Sequence, residues 1–434
     1  MAQKRFPWGQ TFLLGFGFLG ISIIWPIFNQ YIPIFLQAGN AEYISRLLEE
    51  GREIPTTRGF GLAPSLAMFI MTWDNIINMF IAPWAGAKSD RTWNRFGRRK
   101  GWILLGAPIA LLAFVFIPAA QGVVAIAVFI LITDFGMALF RSPTVAWLGD
   151  LFAPNVRSKA NGVINLMGGV GGLLAYFGSG MLFNAFEESS PEAARMLPFL
   201  AGTLAMIIAL AVVLIFVRES RTLPGGEDTE PRAGVLDNLR TLFANPSKSG
   251  VFVLLGILFW FMAFNALETG LSSFAVFTLG MKAGTASIYA GLVTISFILF
   301  AIPAGFLGTK FGRGTTIRIG LVGLVLLTLG GFVFIRGTLA FAVVLILAGA
   351  FWALVNVNSL PLVYDHGDER RIGAYTGLYY FSSQLAAVLG PTLGGVLVDV
   401  LGNEYRWLWL FSFAFMALAW LAMLGVRRGE ATTK

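Results

Sequence analysis

The sequence predicts an all-α polytopic membrane protein, with twelve transmembrane helices arranged as two pseudo-symmetric six-helix bundles. Three observations lead there. First, 56% of the residues are hydrophobic, only 12% are charged, and mean hydropathy is +0.75, too apolar for a water-soluble domain of this length. Second, the chain falls into apolar stretches near the ~20 residues that cross a bilayer as a helix. They run over 10–37, 61–87, 101–120, 122–152, 158–185, 196–217, 250–279, 285–309, 315–335, 338–364, 372–400 and 406–426. Third, the chain repeats itself. Phe96-Gly97-Arg98, Asp150 and Gly162 recur as Phe311-Gly312-Arg313, Asp365 and Gly377, each displaced by 215 residues. Two six-span units, 1–217 and 250–434, follow from that offset, an organisation that suits rocking of one half against the other around a central site.

The ends and loops have their own signals. Lys4 and Arg5 lead into a long first span without a small-residue cleavage site, which predicts a membrane helix rather than a signal peptide. With both termini inside, 23 lysines and arginines fall on the cytoplasmic side and 7 on the other, leaving Arg141 within a helix. That bias predicts cytoplasmic N and C termini in a plasma or inner membrane. Between the halves, 218–249 reads as a cytoplasmic linker. Its start is polar and rich in proline and glycine, and Val235, Leu236, Leu239, Leu242 and Phe243 then form the stripe of an amphipathic helix. The absence of cysteine and the single histidine exclude disulfides and His or thiolate metal clusters. The formal charge of +8 follows the topology pattern, so no nucleic-acid partner is expected. A monomer is expected.

Charge inside a span is costly and by default marks the path of something polar. Asp74 lies near the middle of span two, and Asp134 and Arg141 share a face two turns apart in span four, too far for a direct pair on a straight helix. In span seven Asn265 and Glu268 lie three apart, with Trp260 and Phe261 one to two turns earlier. Hydrogen-bonding groups beside an aromatic face are what a sugar ring needs. Trp25, Asn29 and Gln30 in span one, Asn78 in span two, and Tyr380 with Gln384 in span eleven offer the same mixture. For each aromatic group, plain packing is the competing reading. Asp74, Arg141, Asp134 and Glu268 are the candidates for cation coupling.

The end of span two and the loop that follows it carry Gly86, Asp90, Arg91 and Arg98. Glycine permits close helix approach, and an aspartate accepts from an arginine or a helix N-terminus. With Asp150 and Arg157 these residues are expected to form a cytoplasmic gate, repeated more weakly at Lys310, Arg313, Asp365 and Arg370. His366 beside Asp365 and Asp368 reads as a solvated boundary residue rather than a proton relay. Gly168 and Gly172, and Gly390 and Gly394, have small-xxx-small spacing for close helix contact, while Pro143 and Pro391 are expected to bend their helices.

Gly86-x-x-x-Asp90-Arg91 followed by Gly97-Arg98-Arg99 resembles the signature loop of the major facilitator superfamily. The longer run Ala82–Arg91 through Phe96–Leu104, continued by Asp134, Pro143, Asp150-Leu151, Arg157 and Ala160-Asn161, is similar to the glycoside-pentoside-hexuronide and sucrose/maltose cation symporters. The resemblance implies that superfamily's fold and secondary active transport by alternating access. The chain departs from melibiose-type carriers in two places. Asn78 stands one turn after Asp74 where those carriers have a second acid, and Arg141 stands two residues before the span-four proline in place of an acid. A sodium cage of clustered carboxylates is thereby weakened, and a lone carboxylate with a cationic partner points to proton rather than sodium coupling, with no cofactor.

The expectation is therefore proton-coupled symport of a glycoside or oligosaccharide, with Asp74 as leading proton carrier and Arg141 as its switch partner. The alternatives are a proton-coupled exporter of lipophilic compounds, favoured by the 14% aromatic content, and a non-transporting membrane sensor. An enzyme is not expected, since no nucleophile–base pair, phosphate-cradling loop or metal cluster is present.

Overall fold

The computed structural model describes residues 6–51, 57–219, 249–365 and 372–426. The linker beyond Glu219 with its amphipathic stripe, and His366, Asp368 and Arg370, lie outside the described residues, as do both extreme termini. Among the described residues, twelve helices are long and apolar enough to cross a membrane.

The helices in chain order are α1 Trp8–Gln37, α2 Ala41–Glu49, α3 Pro64–Ile70, α4 Trp73–Arg91, α5 Lys100–Phe116, α6 Val123–Leu151, α7 Pro154–Phe186 and α8 Pro191–Phe216. The second half holds α9 Ser249–Ser273, α10 Ala283–Phe311, α11 Arg313–Phe334, α12 Thr338–Asp365, α13 Ile372–Val400 and α14 Trp407–Leu424. Helix α2 lies in the loop after the first span, and α3 and α4 together make the second. In the first bundle α1 packs on α7 and α8, and α6 on α4 and α5; in the second α9 packs on α13 and α14, and α12 on α10 and α11. Large apolar side chains remain on the outside, such as Phe80, Leu112, Phe306 and Leu339, a surface suited to lipid rather than water.

Two local departures from continuous helices bear on the site. The second span is interrupted at Met71–Thr72, so Asp74 sits in the first turn of α4, where unpaired N–H groups favour a carboxylate. Thr72 helps make the break by donating its hydroxyl to the Phe69 carbonyl at 2.7 Å. The last turns of span seven, Phe274–Thr278, widen into a π-helix, the kind of irregularity often found where a helix serves a function.

The bundles meet through α7 against α10, α3 against α13 and α1 against α9. Gly180 and Gly284 set the first of these contacts, because a Cβ on either would lie 2.4 Å from the other's carbonyl oxygen. Lipid is as apolar as leucine, so close backbone approach of this kind, and not water exclusion, holds membrane helices together. Polar bonds reinforce the same end: Asn184 Nδ2 donates to Thr285 Oγ1 at 3.1 Å, Gln37 Nε2 to Ser273 Oγ at 3.1 Å, and Ser65 N–H to Asp399 at 3.1 Å. All of these lie at the end of the molecule carrying α2, opposite the basic loop 88–100.

Candidate transport site

Five helices from both bundles converge on one polar cavity of about 190 Å³. Helix α1 supplies Trp25 and Asn29, the break before α4 supplies Met71, the first turn of α4 supplies Asp74 and Asn75, and α6 supplies Arg141. From the second bundle come Asn265, Glu268 and Thr269 on α9, with Ala387 on α13. Three interactions shape this wall. Asn75 Nδ2 donates to Asp74 Oδ1 at 2.7 Å, and the Arg141 guanidinium lies 5.9 Å from the centre of the Trp25 ring, within cation–π range. Asn265 turns its amide back to the Phe261 carbonyl at 2.7 Å, leaving its side-chain oxygen for other donors.

Six of the residues singled out in the sequence thus meet: Trp25, Asn29, Asp74, Arg141, Asn265 and Glu268. No ion pair joins Asp74 to Arg141 among the described residues; the two act on each other through space, and Asp74 also feels Asp134 and Glu268. Asp134 is buried off the cavity wall with both carboxylate oxygens unpartnered. Trp260 is fully buried in the core of the second bundle beside Ile257, Leu321 and Met423, where its ring packs helices rather than lining the cavity. Asn78 and Gln384 are half-buried away from the wall, and Tyr380 is 54% exposed with its ring against Tyr379. Gln30 opens instead onto a second, apolar cavity of about 240 Å³ that also touches Glu268.

The sequence reading passed over Asn75 and Thr269, each adjacent to a singled-out acid. Adjacency to a mid-span acid was the available signal for Asn75.

The basic loop is organised around a residue that was not singled out. Arg99, 2% exposed, pairs with Asp90 at 2.5 Å and Asp150 at 2.7 Å, and donates to Ser89. Burial works against its charge, but hydrogen bonding to Asp150 and the charges of Asp150 and Asp90 outweigh that and hold the guanidinium protonated above its ordinary range. Gly86 brings α4 against α6, since a Cβ there would lie 2.8 Å from Ser142 Oγ. Arg157 caps α6 by donating to the carbonyls of Gly149 at 3.2 Å and Phe152 at 3.3 Å. Arg91 is exposed, and Arg98 contributes its backbone N–H to Glu219. Glu219 also accepts from the N–H groups of Arg99 and Lys100 at 3.0 Å and from the Trp147 indole at 3.1 Å. It is an acidic cap on the N-terminus of α5 supplied from the end of the sixth span. In the second half Arg313 donates to the Pro361 carbonyl at 3.0 Å.

Twelve membrane helices in two bundles, enclosing a charged cavity built from both, define a secondary carrier for small molecules rather than an enzyme. The chain belongs to the Major Facilitator Superfamily, whose model matches residues 8–387 and 278–434. Among its relatives, the class B tetracycline resistance protein of Escherichia coli is 25% identical over 369 residues, 79% of this chain and 82% of that one. The multi-drug resistance efflux pump PmrA of Streptococcus pneumoniae is 29% identical over 144 residues, covering 32% of this chain and 35% of that one. A bacterial homologue of the human lysosomal transporter Spinster, solved in an inward-facing and unoccupied conformation, superposes with a TM-score of 0.70 at 14% identity over the whole of both chains. The nucleoside transporter NupG superposes with a TM-score of 0.70 at 15% identity, over 96% of this chain and all of that one. These two likenesses concern the fold.

Proposed function

We propose that this transporter is a proton-coupled symporter of a hydroxyl-rich glycoside or oligosaccharide, working by alternating access with Asp74 as the leading proton carrier. One observation carries the reading: Trp25, Asn29, Asn75, Asn265 and Thr269 surround two carboxylates and an arginine in a single cavity formed by both bundles. Amide and hydroxyl groups match sugar hydroxyls as donors and acceptors, and the indole offers a face to the C–H side of a ring. Arg141 balances one carboxylate, so loading a proton onto Asp74 frees the guanidinium for substrate oxygens. Losing it restores the attraction and favours the empty cavity. With the basic loops inside, as their charge bias argues, the bundle contacts around Gly180 and Gly284 close the outer end and the cavity faces inward.

A second reading is proton-coupled export of a lipophilic compound. The apolar cavity beside Glu268 and the efflux pumps among the relatives favour it. Counterflow in proteoliposomes with a radiolabelled sugar panel, with and without a pH gradient, separates the two. The first predicts exchange of at least one sugar and loss of proton-driven accumulation in Asp74→Asn. Proton-driven expulsion of hydrophobic dyes, with no sugar exchanged, would replace it with the second.

A further inference from the structure

Glu268 borders two cavities at once: the polar one around Asp74 and a more apolar one between the second bundle and α1 and α7 of the first. Each alone is smaller than the ~300 Å³ at which small-molecule sites begin, and together they pass it. Half of the residues lining the second cavity are aliphatic, with Leu267, Leu324, Leu345, Ala348 and Met416 among them. Among its aromatic residues, Phe264 and Trp352 are already stacked on each other, with ring centres 4.0 Å apart and planes 5° from parallel, so that pair has no slot for another ring.

A packing fault would have an entirely apolar lining. Two of this cavity's lining residues, Gln30 and Trp409, are each 2% exposed and carry a buried polar atom without a partner, Gln30 Oε1 and Trp409 Nε1. An acceptor and a donor left unpaired at that depth cost stability unless a ligand meets them. A hydroxyl group satisfies either, because it both donates and accepts.

We propose that the apolar cavity binds the aglycone of an amphipathic glycoside, an alkyl or alicyclic group bearing a hydroxyl, while the sugar ring occupies the polar cavity around Asp74. This assignment rests on the glycoside-transport reading and makes it more specific. Gln30 and Trp409 hold the aglycone hydroxyl, the leucines enclose its hydrocarbon, and Glu268 marks the boundary where sugar gives way to aglycone.

The test uses the sugar that the counterflow panel identifies and compares two of its derivatives as competitors of its transport, the methyl glycoside and the 4-hydroxycyclohexyl glycoside. The cyclohexyl compound is expected to compete at concentrations at least tenfold lower, a difference of about 1.4 kcal/mol. Ala348→Leu, which narrows only the apolar cavity, is expected to cut that ratio below threefold. Equal competition by the two glycosides in the unsubstituted protein overturns the inference while leaving sugar transport standing. A panel in which no sugar is exchanged overturns both. A tenfold ratio retained in folded Ala348→Leu overturns the placement in this cavity, and if that variant does not fold, the ratio in the unsubstituted protein decides alone.

Discussion

Arg46, on the short helix after the first span, forms an ion pair at 3.2 Å with Glu404, in the loop before the last. The pair joins the two bundles from beyond the membrane helices, and it has company. Arg46 also donates to the Gly402 carbonyl at 3.4 Å, Asn403 donates to Glu42, and the rings of Tyr43 and Phe277 meet edge to face at 4.7 Å. Helix α2 is thus a strap seated on the second bundle, begun by Asn40, whose side chain accepts from the Tyr43 N–H at 3.1 Å.

Reversing one charge should loosen that strap. Both partners are partly exposed, so the pair contributes only ~0.2–1 kcal/mol, a shift of up to about fivefold between closed and open forms. The chain has no native cysteine, so Asn184→Cys with Thr285→Cys reports closure by disulfide formation. Arg46→Glu should slow that cross-link, and adding Glu404→Arg should restore it. An unchanged rate in Arg46→Glu would mean the strap does not hold the bundles.

Gly180→Ala and Gly284→Ala should act on the same closure more strongly. Each places a methyl 2.4 Å from a backbone oxygen that has no way to rotate aside, so α7 and α10 must separate. The expected outcome is a folded protein that exchanges substrate at least tenfold more slowly, measured by counterflow. Normal exchange would show that the interface tolerates a wider gap.

Arg99 is expected to be the most costly loss in the basic loop. Arg99→Ala leaves Asp150 and Ser89 without their partner in a buried setting, and breaking such a pair costs ~3–5 kcal/mol. Thermal unfolding in detergent should show a marked drop in Tm, whereas the exposed Arg91→Ala should change it little. Equal Tm values for the two variants would remove Arg99 from the centre of this network.

Closure at the α2 end of the molecule should weaken as pH rises. Glu187 lies just beyond the fifth span, and burial raises its pKa above the ordinary 4.5, against the opposing charge of Lys282 and with help from Glu188. An acid whose pKa is raised in the closed form favours that form while protonated. The contribution is full below about pH 4.5 and declines as pH climbs through the raised value. The Asn184→Cys/Thr285→Cys cross-link, read as the fraction closed after correction for thiolate content, should fall over that window, and Glu187→Gln should flatten the profile. A pH dependence that survives Glu187→Gln assigns it to another group.

Much of the architecture was legible before folding because hydropathy and spacing are local properties. The apolar runs place all twelve spans, and the 215-residue offset pairs the halves. The interruption at Met71–Thr72 was not legible, since no proline or glycine marks it. Burial depth was equally readable: a charge in mid-span is unusual wherever the helix faces.

Rotation and partnership belonged to the tertiary structure. In a span apolar all round, periodicity does not say which face turns inward, so Asn265 reaches the cavity while Trp260, on the same helix, packs the bundle core. Of the adjacent Arg98 and Arg99, only the second turns toward Asp150, because α6 brings that aspartate to it from 51 residues further along the chain. The chain by itself determined that charge is carried to mid-depth in two matched halves. Which charges share one cavity, and that an apolar room adjoins it at Glu268, was decided only when long-range helix packing set each helix about its axis.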